Sequence, residues 1–170
     1  LENPWEQSLT GSTPVSSAKD KNMNKNDKQQ LVGGVTMFKV YRGKTSWFLV
    51  KQTDESEWEL PKTIVRRGES SVRSVIRLMG EQAMVTAKVL EETGRTASVI
   101  KLNGKPVGQR IIYYLMAFKD ASEILAFSSY QWLDFAKASK KLALKKEVQV
   151  LTNARDVLKE WDRTKGKKLA

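Results

Sequence analysis

The sequence predicts a single α/β domain, and three observations predict it. Its 170 residues suit one core of ordinary size. β-rich runs lie on both sides of one long helical pattern, and an amphipathic helix closes the chain.

In chain order, residues 1–30 are rich in Ser, Thr, Asn, Gln and Lys and read as a disordered or extended segment. A domain then spans 31–163. Val35–Tyr41 and Ser46–Lys51 are β-rich runs around Arg42-Gly43-Lys44, a hairpin pattern. Thr53–Glu57 is a polar loop and Trp58–Leu60 a short strand turning at Pro61. A basic loop carrying Gly68 follows. Val72, Val75, Ile76, Met79, Ala83, Ala87 and Leu90 recur at helical spacing, which predicts one long helix ending on Glu91, Glu92 and Gly94. Thr96–Leu102 reads as a strand, Asn103-Gly104-Lys105-Pro106 as a turn, and Arg110–Lys119 as the most persistent strand. Phe127–Leu133 is another extended run. A brief helix near Asp134–Lys141 precedes a firmer one from Lys145 to about Arg163, where Val148, Leu151, Ala154, Leu158 and Trp161 share a face. Residues 164–170 form a basic tail.

Composition narrows the chemistry. Cysteine and histidine are both absent, which removes thiol catalysis, Ser–His activation and nearly all zinc sites. Catalysis here would rest on carboxylates, lysine, tyrosine or a hard cation held by oxygen, with Mg2+ the natural choice. The net charge is +11, yet residues 1–30 sum to zero. From Ala136 to Ala170 eleven Lys or Arg face four acids, an excess of seven. Such a surface attracts polyanions (nucleotides, RNA or anionic lipid) or is simply a solvated lysine face. No apolar run reaches the length that spans a bilayer, and no membrane partner is expected. A cytoplasmic location is expected, while the opening residues do not report targeting.

Several motifs occur together in order: Gly33-Gly34-Val35, WELPK (Trp58 to Lys62), GES (Gly68 to Ser70), EETG (Glu91 to Gly94) and YQWL (Tyr130 to Leu133). With these the chain resembles the Nudix superfamily over roughly residues 31–162. The family's box reads G-x5-E-x7-R-E-U-x-E-E-x-G-U, with U aliphatic. The resemblance implies an α/β/α sandwich with a mixed β-sheet. It also implies Mg2+-dependent hydrolysis of a nucleoside diphosphate-linked substrate.

The box departs from the pattern and admits two registers. Counting from Thr63, which stands for the opening glycine, Glu69 and Arg77 fall on family positions; Leu78, Met79, Gly80, Glu81 and Gln82 follow, keeping one of three clustered carboxylates. Anchoring on EETG places Glu91 and Glu92 on the paired glutamates and Ala87-Lys88 on the Arg-Glu pair. The second register is preferred, because EETG followed by RTASVI resembles the family's helix exit. A hybrid, with Glu69 from the loop and Glu91 and Glu92 from the helix, keeps the most chemistry; it implies Glu69, Glu91 and Glu92 as catalytic residues, Glu91, Glu92 and Glu81 as metal ligands, and Trp58, Lys62, Arg66, Arg67 and Lys88 as substrate contacts. Plainer roles stand beside these. Glu91 and Glu92 could be solvated, Glu69 with Ser70 could start a helix, and Trp58 could be core. The weakened box leaves a second functional reading: a catalytically inactive module on this fold, binding RNA, the ribosome or a nucleotide through its basic surface.

Overall fold

The computed structural model describes residues 29–169, so the reading of 1–30 as disordered or extended falls almost wholly outside the described residues. Six strands form one sheet: β1 (Gln30–Tyr41), β2 (Lys44–Lys51), β3 (Lys62–Ile64), β4 (Thr86–Leu102), β5 (Lys105–Asp120) and β6 (Ser129–Leu133). The order is β4-β5-β1-β2-β6, with β3 paired to the start of β1. β1 runs parallel to β5 and every other pairing is antiparallel, so the sheet is mixed. Helix α1 (Ser71–Arg77) and the π-helical turn Leu78–Gln82 that continues it cover one face. Helices α2 (Phe135–Lys141) and α3 (Lys145–Leu169) cover the other. Among the described residues no helix is long and apolar enough to cross a membrane.

Two turns are set by local chemistry. Arg42 and Gly43, and again Asn103 and Gly104, take positive φ, the conformation that matches the twist of flanking strands. At Gly33 and Gly34 the reason is space. A β-carbon on Gly33 would lie 2.1 Å from Ser74 Oγ, and one on Gly34 would lie 2.3 Å from the Tyr113 ring. These glycines let α1 and the Tyr113 ring approach β1 from opposite faces.

The long helix expected through Leu90 is not there. Regular helix stops at Arg77, the π turn ends at Gln82, and β4 begins at Thr86. Ala83, Ala87 and Leu90 fit a helical period, but Val85, Ala87 and Val89 fit a period of two, and pairing with β5 decides between them. Met84 marks the break with φ +59. Consequently Glu91 and Glu92 lie on a strand, and Gly94 is a residue of β4 beside a register shift rather than a helix cap. Smaller differences follow the same logic. Of Trp58–Leu60 only Glu59 bridges, to Val50, and the strand proper is β3 in what reads as loop. The backbone of α3 continues to Leu169, past Arg163.

Candidate active site

The loop between β3 and α1 is held by one ion pair. Arg77 is buried; its Nε and Nη2 donate to the two Glu69 carboxylate oxygens at 2.9 Å each, and Nη2 also donates to the Ile64 carbonyl at 3.0 Å. The Arg66 N–H donates to Glu69 at 3.1 Å. The Arg77 guanidinium and then the Arg66 amide hold the Glu69 carboxyl down at about 2. Ser70 caps α1 by accepting from the Arg73 N–H at 3.2 Å, and Ser71 Oγ meets the Tyr114 hydroxyl at 2.6 Å. The register counted from Thr63 is therefore the one the fold adopts, since Glu69 and Arg77 pair across the loop as that register requires. EETG as a helix exit is overturned: it lies in β4, and β5 is its partner.

That register fixes the metal chemistry this chain can support. Of the three clustered carboxylate positions of the box, Leu78 occupies one and is buried, Gln82 occupies another, and Glu81 alone is acidic. Glu91 and Glu92 are neighbours on a strand, so their side chains leave opposite faces of the sheet. Glu91 pairs with Leu115 on the α3 face and accepts from Trp161 Nε1 at 2.9 Å. Glu92 pairs with Tyr114 on the α1 face and holds Arg95 at 2.9 Å. Among the described residues no three carboxylates group around a point that would hold a metal ion. The donor set does not fit the multi-ion cluster that the box implies.

The remaining predicted contacts are scattered. Lys62 lies at the end of a cleft on the α3 face. Arg66 and Arg67 are exposed on the loop. Trp58 is half-buried against the core, with the Lys51 and Lys141 ammonium groups 5.4 and 5.1 Å from its ring. Lys88 is exposed on β4 opposite Ala117, toward the other end of the sheet from the cleft.

Apart from Lys62, that cleft is built by residues to which the sequence assigned no role. A cavity of about 730 Å³ lies between α3 and β4–β5, with Ser98, Ile100, Ile111 and Leu144 among its walls and Lys101, Lys145 and Lys146 at its rim. A shallower hollow of about 360 Å³ shares Glu59, Lys62 and Gln109 with it and reaches Thr63 and Ile64 of β3, the edge of the box loop. At the floor Glu147, 1% exposed, accepts from Lys62 Nζ at 2.8 Å, the Tyr113 hydroxyl at 2.9 Å and the Leu60 N–H at 3.2 Å. Lys62 also pairs with Glu59 at 3.0 Å. Burial first, and then the Glu147 charge, pushes the Tyr113 phenol far up. One signal of Glu147 was present in the sequence: it falls four residues before Leu151, on the stripe continued by Ala154 and Leu158. A carboxylate on an apolar stripe is one that a partner must satisfy.

A mixed six-stranded sheet between two helical layers, with a loop glutamate locked by the arginine of the following helix, defines a Nudix-type domain. The chain belongs to the NUDIX domain family, which it matches over residues 31–153. No curated protein matches it. Among solved structures it is similar to a C. elegans Ap4A hydrolase in a binary complex, at 20% identity and TM-score 0.64, covering 77% of this chain and 98% of that one. It is also similar to the NUDIX domain of Shewanella oneidensis NrtR complexed with ADP ribose, at 16% identity and TM-score 0.57, covering 86% and 99%. The E. coli dihydroneopterin triphosphate pyrophosphohydrolase matches at 14% identity and TM-score 0.56, covering 71% and 91%. At these identities the likeness is one of fold.

Proposed function

We propose that this domain binds a nucleoside diphosphate-type ligand in the Lys62 cleft and has lost most or all of the hydrolytic power of its family. The observation that carries the proposal is the pairing of an intact Glu69–Arg77 loop with a box whose other acidic positions have become the buried Leu78 and the neutral Gln82. Diphosphate hydrolysis in this family needs cations that neutralise both phosphates and acidify an attacking water; Glu81 is the only carboxylate left on the box helix to recruit them. The cleft keeps what binding requires. Apolar walls suit a ring, polar groups on Ser98 and Gln109 suit hydrogen bonds, and Lys101, Lys145 and Lys146 at the rim suit phosphates. Fold likeness to proteins whose structures are described with Ap4A hydrolase activity or ADP ribose supports the ligand class.

Calorimetric titration with ADP ribose and with Ap4A, with and without Mg2+, alongside phosphorus NMR of the same mixtures, tests this. The expected result is saturable binding without turnover, weakened by Lys101→Glu with Lys145→Glu. Mg2+-dependent cleavage abolished by Glu81→Gln would overturn it and restore a hydrolase working through a reduced metal site.

A further inference from the structure

We propose that the cavity at the far end of α3 is a second binding site, separate from the Lys62 cleft, for a nucleotide unit comprising a phosphate and its base. The cavity, about 320 Å³, lies where the second half of α3 crosses the ends of β1, β4 and β5. Its floor is apolar: Phe38, Leu90, Leu158 and Trp161. Around that floor stand Lys88 of β4, Lys119 of β5 and Lys165 of α3, all exposed.

Their convergence follows from the sheet. Lys88 pairs with Ala117, and Lys119 lies two residues beyond on the same strand, so both project from the face that α3 covers. Lys165 follows Trp161 by one helical turn. Among the described residues none of these three ammonium groups takes part in an ion pair. The acid in the lining is Asp162; Glu91, beside it, is engaged by the Trp161 indole N–H. Lys39 also reaches the rim, but its ammonium sits 4.3 Å from the Trp132 ring and is already occupied.

A lysine face made only for solubility has no need of a concave aromatic floor. Three cations around such a floor are the arrangement that holds a phosphate while a flat base lies on apolar side chains. The volume is near the lower bound for small-molecule sites, which suits one nucleotide. Glu147 and Trp161 are fourteen residues apart on α3, about 21 Å along the helix, so one mononucleotide cannot fill both sites.

The nucleotide could be free or part of a single strand, and two probes separate these sources: AMP, and a ten-nucleotide single-stranded RNA. Both are titrated into the native protein, the Lys88→Glu/Lys119→Glu variant and the Lys101→Glu/Lys145→Glu cleft variant, with thermal melting to confirm folding. At least one probe should saturate the native protein, lose about tenfold or more in affinity in the Lys88/Lys119 variant, and keep its affinity in the cleft variant. Loss of AMP binding assigns a free ligand. Loss confined to the RNA, with a shallower dependence on salt, assigns a strand. Absence of binding, equal affinity in the Lys88/Lys119 variant, or weakening by the cleft variant alone overturns the proposal. The cleft reading is tested separately with ADP ribose, so either can fail without the other.

Discussion

Glu69 carries a pH signature that follows from its contacts. Its carboxyl is held at about 2 against an ordinary 4.5. A depressed carboxyl stabilises the fold fully above its unfolded value, and that contribution fades as pH falls through the folded one. Thermal melts should therefore show the native protein losing stability between roughly pH 4.5 and pH 2. Glu69→Gln should be the less stable form at neutral pH and should show a flatter profile in that window. Equal slopes would mean that the Arg77 pairing does not exist in solution. Glu147 makes a different demand. Its removal takes from Lys62, whose side chain is only 17% exposed, the more buried of its two carboxylate partners, leaving only Glu59, and leaves the Tyr113 hydroxyl and the Leu60 N–H without their acceptor. Glu147→Ala should cost about 3 kcal/mol in urea unfolding, the scale for breaking a buried ion pair. A loss below about 1 kcal/mol would show the network to be solvated.

At the scale of elements, the passage from α1 into β4 is the most informative stretch. Met84 stands where the box has its second glycine, and its φ of +59 is the one such a glycine would supply. A left-handed residue with a β-carbon is strained by about 1–2 kcal/mol, partly offset by the chain freedom a glycine adds. Met84→Gly should therefore raise the unfolding free energy by up to about 1 kcal/mol, and a decrease would show that the Met84 side chain matters more than its backbone. Gly34→Ala should act oppositely, because the new β-carbon meets the rigid Tyr113 ring. A loss of about 1–3 kcal/mol is expected from chemical denaturation.

These elements also show what the sequence could disclose. The hairpins at Arg42-Gly43 and Asn103-Gly104 were legible because their turn residues have one use. The last helix was legible because Leu151, Ala154 and Leu158 admit one period. Residues 83–90 satisfied two periods, and only the partner strand, distant in sequence, chose between them. The choice of register, and with it the roles given to Glu91 and Glu92, turned on that stretch. Glu69 and Arg77 were visible as a spacing. The floor around Glu147 was not, because Leu60, Lys62 and Tyr113 reach it from three separate segments.

At the scale of the molecule, the sheet joins local and remote pairings. β4 and β5 meet through a two-residue turn, and β1 and β2 do the same. The central seam between β1 and β5 instead unites Gln30 with Gln109 and Phe38 with Ala117. Closing a loop of that size carries an entropic cost before any contact offsets it, so high contact order slows assembly. Both hairpins should zip early, with the parallel seam closing late as the rate-limiting event. Pulse-labelled hydrogen exchange should protect amides of Val99–Leu102 before those of Val32–Met37, and the reverse order would disprove this route. Both cavities have walls on β5 and on the helix docked across that seam, so a nascent chain would acquire neither until its halves had met.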